Sequence, residues 1–357
     1  MASQVDPDAG AAAPLVGIER GPVTAWFEDH VAGVSPPLSF RLIAGGRSNL
    51  TYEVEDAAGR RFALRRPPVS HVLPTAHDMS REHRVIHALG PTPVPVPHTY
   101  GLCEDPAVTG APFYVMDFVA GHILRDQPTA EAAFDEAARG RIGEQLAATL
   151  AGLHQVDVDR VGLGDLGRRT GYVERQLRRW REQYRQMAVP GVDHGTLVED
   201  VGEALAATIP EQRATTIVHG DYRLDNVVLA DDGSVAAILD WEICTLGDPM
   251  ADVGLLMVYW AQPGDGDPIL GTTAPTVAAG FASRDEVLAA YAAASGRDVG
   301  DVGFFMAFGY WKLACILQGV YARYVAGAGA GDPNSVETFP RTVERLAELA
   351  AATLNGR

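Results

Sequence analysis

Between Ser39 and Leu64 apolar and polar positions alternate with period two, in the segments FRLIAGG, SNLTYEVED and RRFALRR, broken at Gly45-Gly46 and Ala58-Gly59. Period two with turn signals predicts antiparallel strands joined as hairpins. A short helix is predicted over Val23 to Val31, and 75–89 places Met79, His83, Ile86 and Leu89 at helical spacing before the Gly90-Pro91 stop. The stretch PTPVPVPHTYG (91–101) is expected to be extended, because proline lacks an N–H and restrains its neighbour. The run APFYVMDFVAG (111–121) reads as a strand rich in Phe, Tyr and Val.

After Gly121 the pattern changes. Helical spacing runs from Ala130 to His154 and again over Gly171 to Gln186. Short strand-like pieces, IVHGD and AAILDW, then flank the turn Asp231-Asp232-Gly233, and helices dominate from about Ala251 onward. A sheet-rich first part and a mainly helical second part predict an α+β chain with a boundary near 117–121: a flexible tail at 1–15, a first lobe at 16–118 and a second at 119–357.

Composition narrows the classes. A hydrophobic share of 47% in 357 residues can fill a real core. The net charge of -17 argues against general affinity for nucleic acid or an anionic membrane. Cys103, Cys244 and Cys315 are far apart and form no CxxC pair, which fits a reducing, cytoplasmic setting without a disulfide framework. The first fourteen residues lack a basic start and an apolar centre, so no secretory signal is expected there. The apolar runs near Leu255 to Trp260 and Phe304 to Val320 are interrupted by glycine or Lys312, and buried helices are expected rather than membrane spans. Lys312 is the only lysine; arginine supplies the other basic side chains.

The chemistry concentrates in HGDYRLDN (219–226) and LDWE (239–242). Phosphoryl transfer needs a group that orients or deprotonates the acceptor and oxygen ligands that hold magnesium against phosphates. Asp221 precedes Asn226 by five residues, and Asp240 follows at the end of an apolar strand, so two short strands and a turn would bring the three polar tips together. His219 is read as a packing and backbone-bonding residue. Asp248 and Asp252 in GDPMADVG (247–254) could cap the following helix or bind metal.

This pattern resembles the aminoglycoside phosphotransferase and choline kinase superfamily, distant relatives of protein kinases. Together with GGRSNLTYEV, FALRRPP and LDWEICTLGDPMADVG, it resembles the branch related to the kinase-like domain of acyl-CoA dehydrogenase fusion proteins. The resemblance implies a bilobal protein-kinase-like fold, with a small N-terminal antiparallel-sheet lobe for nucleotide and a larger, mainly helical C-terminal lobe for catalysis and substrate. It implies ATP and Mg2+ as cofactors, Asp221 as catalytic carboxylate and Asn226 and Asp240 as magnesium ligands, with Asp252 supporting the catalytic loop. Arg223 would stabilise charge near the transferred phosphate. Gly45, Gly46, Ser48 and Asn49 would cover the nucleotide, with Asp117 and Val119 also at the nucleotide site. Arg65 stands where the family usually has lysine, and Glu82 would orient it.

The implied reaction is ATP-dependent phosphorylation of a hydroxyl on a small molecule, either hydroxyacyl-CoA-like or aminoglycoside-like, with no nucleic acid or membrane partner. The alternative is a pseudokinase, an inactive nucleotide- or partner-binding module, for which the missing lysine is the main support. Acceptor specificity is expected within 155–200 and 260–340. The arginine-rich helix at 168–185 reads as a solvated face. Oligomeric state is not legible.

Overall fold

The structure is a computed structural model that describes residues 15–44, 49–69, 78–192, 196–266, 268, 273–327 and 338–356. It divides into two compact units. The first takes in residues up to His83 together with His98–Phe118, and the second takes in Arg84–Pro97 together with the chain from Val119 onward.

The first unit is built on a five-stranded antiparallel sheet of β1 (Ser39–Ala44), β2 (Leu50–Glu55), β3 (Arg61–Arg66), β4 (Thr99–Cys103) and β5 (Phe113–Asp117), in the order β1-β2-β3-β5-β4. The period-two pattern sends Phe40, Tyr52, Val54, Phe62, Leu64, Phe113 and Val115 into one core, which Val23, Trp26 and Phe27 of helix α1 (Arg20–His30) complete. The proline-rich stretch leads into β4, as its extended bias predicts. A short helix α3 (Pro106–Thr109), capped by Asp105, follows helix α2 (Met79–Leu89) and β4. The glycine loop Gly45, Gly46 and Ser48 lies outside the described residues.

The second unit is mainly helical. The predicted helix Ala130–His154 is two helices, α4 (Gln127–Ala133) and α5 (Glu136–His154). The break has a local cause: Asp126 and Asp135 each accept a backbone N–H as N-caps, starting two helices in place of one. On α5, Ile142, Leu146, Leu150 and Leu153 repeat at helical spacing and are buried. Next come α6 (Tyr172–Gln186) and α7 (Leu197–Ala207), then a group of short strands, β6 (Thr216–Val218), β7 (Val227–Leu229), β8 (Val235–Ile238) and β9 (Thr245–Gly247). The two strand-like pieces foreseen around Asp231-Asp232-Gly233 do not pair with each other. β8 pairs with β7 across that turn, and β6 pairs with β9.

Helices α8 (Met250–Tyr259), α9 (Arg284–Ser295), α10 (Val302–Val325) and α11 (Phe339–Leu354) close the unit, with α10 packed on α8 and α11 and α5 on α9. The α8–α10 approach is tight enough to require glycine, since a Cβ on Gly254 would lie 2.5 Å from the Phe305 backbone. α10 runs unbroken for 24 residues through Gly309, Lys312 and Gly319, a largely buried helix as expected. By length and composition it is the one described helix that could cross a membrane, and 67% of its most apolar window is buried within the protein.

Candidate active site

β6 delivers HGDYRLDN into a turn whose first three residues have their backbone N–H groups held by side chains. Gly220 has φ +86°, a left-handed conformation that glycine adopts without strain, and a Cβ there would crowd Ile243 at 3.1 Å. The fully buried Asp252, in the first turn of α8, accepts the backbone N–H of His219 at 2.7 Å and of Gly220 at 2.8 Å. His154 Nε2 lies 3.3 Å from the same carboxylate, and its Nδ1 is 2.8 Å from the Tyr291 hydroxyl.

Burial alone would raise the Asp252 pKa, but the His154 hydrogen bond, the nearby imidazoles and the Gly220 N–H hold it below the usual carboxylate range. Burial pushes His154 down, which keeps it neutral, so Tyr291 donates to Nδ1 and Nε2–H donates to Asp252. His219 plays the structural part expected of it: Nε2–H donates to the Leu239 carbonyl at 2.9 Å, and Nδ1 accepts the Asp221 N–H at 3.3 Å. Tyr222 donates to the Leu146 carbonyl at 3.0 Å, tying the turn to α5. Asp248 accepts the Met250 N–H at 3.0 Å, just ahead of α8, whose N-cap residue is Pro249.

On this frame the chain brings together four of the residues singled out in its sequence: Asp221, Arg223, Asn226 and Asp240. Asn226 Nδ2 donates to both the carbonyl and the Oδ2 of Asp221, each at 2.9 Å. Arg223 Nε is 3.5 Å from Asp221 Oδ2, its Nη2 is 3.3 Å from Asp225, and its guanidinium lies over the Tyr259 ring at 4.8 Å. Burial opposes the Arg223 charge, but Asp221, Tyr259, Asp225 and Asp240 outweigh it and raise the pKa. Tyr259 is raised by burial and then by the Asp221 charge. Asp240 follows β8 with φ +64°, the only left-handed non-glycine among the described residues. Such a conformation costs on the order of 1 kcal/mol or more and marks a side chain that the surroundings hold in place. The Leu239 N–H donates to the Asn226 carbonyl at 2.8 Å, which sets Asp240 beside Asn226.

The donor set suits a hard divalent cation. With both Nδ2 bonds of Asn226 spent on Asp221, its remaining side-chain donor atom is Oδ1, and Asp240 adds a carboxylate. Among the described residues no group of three or more His, Cys, Asp or Glu could cage a metal ion. Magnesium does not require one, because it keeps waters and takes substrate phosphates alongside one or two protein oxygens.

In the first unit Arg65 Nε is 3.0 Å and 3.1 Å from the two oxygens of the buried Glu82. Arg66 is engaged elsewhere, donating to the carbonyls of Gly17, Pro67 and Thr109. Asn49 is buried at the start of β2, Asp117 accepts from the Tyr100 hydroxyl at 2.6 Å, and Val119 is half-buried.

The second unit holds a cavity of about 650 Å³ whose lining includes Arg223, Leu224 and Asp225 of the HGDYRLDN turn. Apolar wall comes from Leu256, Trp260, Met306 and Leu349; Arg125, Arg284 and Arg345 also face it. The lining draws on residues of the 260–340 range, among them Gln262, Asp265, Arg284 and Met306, and on Arg125, Asp126, Arg345, Leu349 and Thr353 outside it; among the described residues none of 155–200 lines this cavity. The arginine-rich helix α6 spends Arg181 and Arg185 on Glu199 and Glu203 of α7, as a solvated face would.

A two-unit α+β chain with a pinned HGD turn and an Asn–Asp pair next to it is a kinase-like phosphotransferase architecture. The model of the phosphotransferase enzyme family matches residues 39–302, and the chain belongs to that family. It is 33% identical over 317 residues to acyl-CoA dehydrogenase family member 10 of Mus musculus, covering 88% of this chain and 29% of that one. The chain spans less than half the length of the curated relatives it matches. A crystal structure from Ralstonia eutropha, provisionally named an aminoglycoside phosphotransferase, superposes with a TM-score of 0.77 at 33% identity, covering 92% of this chain and 97% of that one. An aminoglycoside phosphotransferase solved as a ternary complex with AMP-PNP and hygromycin B shares the fold, with a TM-score of 0.60 at 14% identity over 92% of this chain and 98% of that one.

Proposed function

We propose that this protein is an ATP-dependent kinase that phosphorylates a hydroxyl group of a small, hydroxyacyl-CoA-like molecule. The observation that carries the reading is the Asp221 carboxylate, fixed by Asn226 and flanked by Arg223, next to a cavity large enough for an acceptor. Family membership and the AMP-PNP complex of a fold neighbour support nucleotide use.

In this reading Asp221 accepts a hydrogen bond from the acceptor hydroxyl, aims it for in-line attack and takes its proton as the new P–O bond forms, while the bond from the γ-phosphorus to the β–γ bridging oxygen breaks and ADP leaves. Arg223 lies within reach of charge developing on the transferred group. Asn226 Oδ1 and the Asp240 carboxylate would hold magnesium, which would neutralise phosphate charge. Arg65, oriented by Glu82, grips donor phosphates; arginine keeps its charge and can form two parallel bonds where the family usually has lysine.

The cavity favours an acyl-type acceptor over an aminoglycoside. Each of its carboxylates already has a donor: Asp225 faces Arg223, Asp265 pairs with Arg284, and Asp126 caps α4 through the Thr129 N–H. A polycation would meet Arg125, Arg223, Arg284 and Arg345 with no unengaged acid among the described lining residues.

An ADP-release screen of hydroxylated acyl-CoAs, aminoglycosides and amino alcohols tests this. Turnover with the acyl-CoAs and none with aminoglycosides is expected; the reverse order would reject the acceptor class. A second reading, an inactive nucleotide-binding module, draws on Arg65 in place of lysine. It predicts magnesium-dependent ATP binding without transfer to any of these acceptors.

A further inference from the structure

Lys312 is the chain's single lysine, and it stands in the middle of α10 with 7% of its surface exposed. The reaction described above makes no use of it. Withdrawing an ammonium from water is costly unless its surroundings compensate, and burial does lower its pKa against the opposing charges of Asp221 and Asp252. A methionine would fill a slot in an apolar helix without that cost, so the charge calls for another explanation.

The neighbours supply one. Lys312 Nζ donates to the Gly220 carbonyl at 3.0 Å and lies 6.0 Å from the centroid of the Trp180 ring. With that bond the backbone around Asp221 is closed on four sides. The Gly220 N–H goes to Asp252, the Gly220 carbonyl to Lys312, the Asp221 N–H to His219 Nδ1 and the Asp221 carbonyl to Asn226 Nδ2. Three of these partners belong to the two motifs around the turn, whereas Lys312 arrives from a helix 92 residues further along. Without it a carbonyl in a left-handed glycine turn would lose its side-chain donor in a place sparingly open to water.

We propose that Lys312 is a positioning residue that locks the Gly220–Asp221 peptide plane and so fixes the aim of the Asp221 carboxylate. The catalytic consequence rests on the reading of Asp221 given above; the structural one does not. Lys312 works through the loop and touches neither nucleotide nor acceptor.

The test compares the full chain with Lys312→Met and Lys312→Gln by hydrogen–deuterium exchange, thermal melting and steady-state kinetics. In Lys312→Met, exchange over 219–226 is expected to accelerate about tenfold or more while α5 and α10 keep their protection. Its Tm stays level or rises, and kcat falls about 10- to 100-fold with little change in the KM for ATP. Lys312→Gln keeps an N–H donor and should recover part of both effects. Unchanged exchange over 219–226, an undiminished kcat, or failure of both variants to fold would each overturn the proposal. Should the parent enzyme transfer no phosphate, the kinase reading fails, and the exchange data still decide whether Lys312 clamps the loop.

Discussion

The N–H groups of His219, Gly220 and Asp221 and the carbonyls of Gly220 and Asp221 are each tied to a named side chain, whereas the cavity lined in part by Arg223 is walled by helix faces and long arginines. The turn draws its ties from α5, α8 and α10 and owes its shape to buried charges, Asp252 above all. The cavity takes its lining from segments more than 200 residues apart in the chain, from Arg125 to Thr353, and its ion pairs include the half-buried Arg284–Asp265. The contrast separates two tasks. In the proposed reaction a rigid turn would keep one carboxylate aimed, where positioning is worth most in rate, and an arginine-lined cavity would accept a different substrate by exchanging a few side chains.

The sharpest way to break this division is at its centre. Asp221→Asn should lower kcat by about 10²- to 10⁴-fold while circular dichroism and Tm stay at parental values. Activity within a few-fold of the parent would mean that the carboxylate does not serve the reaction.

Asp252→Asn should act on both the fold and the rate, because one buried acceptor that holds two backbone N–H groups and His154 loses its charge. A stability loss of about 2–3 kcal/mol in urea is expected, together with faster exchange over 219–226. His154 adds a pH signature. Its pKa is lower in the folded protein than the ordinary value of about 6.5, so the unfolded chain binds the proton first. Its contribution is therefore fully present above about pH 6.5 and is lost as pH falls, at up to about 1.4 kcal/mol per unit. His154→Gln should flatten the stability profile below pH 6.5; an unchanged slope would place the acid sensitivity elsewhere.

On the cavity side Arg284→Ala should raise the acceptor KM about tenfold and leave the nucleotide KM unaltered, since Arg284 holds Asp265 at the cavity wall. The smallest effect belongs to Arg181→Ala with Arg185→Ala. These side chains pair with Glu199 and Glu203 on a partly exposed face and do not line the cavity, so stability should change by less than about 1 kcal/mol and kcat not at all.

The same contrast governs what the sequence discloses. The turn is legible because its chemistry is local: Asp221, Arg223, Asn226 and Asp240 fall within twenty residues, and period-two alternation marks the sheet that carries Arg65. The Arg65–Glu82 pair is found by analogy with a lysine–glutamate pair, and the two residues do meet. What escapes notice depends on distant parts of the chain. Nothing in the three-residue strands β6 and β9 announces that they pair. Helical spacing from Ala130 to His154 runs through Asp135 without marking it as the cap that starts a new helix. Arg125 and Arg345 reach one cavity from segments 220 positions apart, which periodicity cannot reveal. Lys312 is conspicuous in the sequence only as the single lysine; its bond to Gly220 needs the folded chain.

The most direct measurement is a single-turnover assay with γ-labelled ATP, magnesium and a hydroxyacyl-CoA, run with the parent and with Asp221→Asn. Label should move to the acceptor hydroxyl in step with ADP formation in the parent and stay on ATP in the variant. Equal transfer by both proteins, or none by the parent with any acceptor tested, would contradict the assignment of residues 219–240 as a phosphotransfer centre.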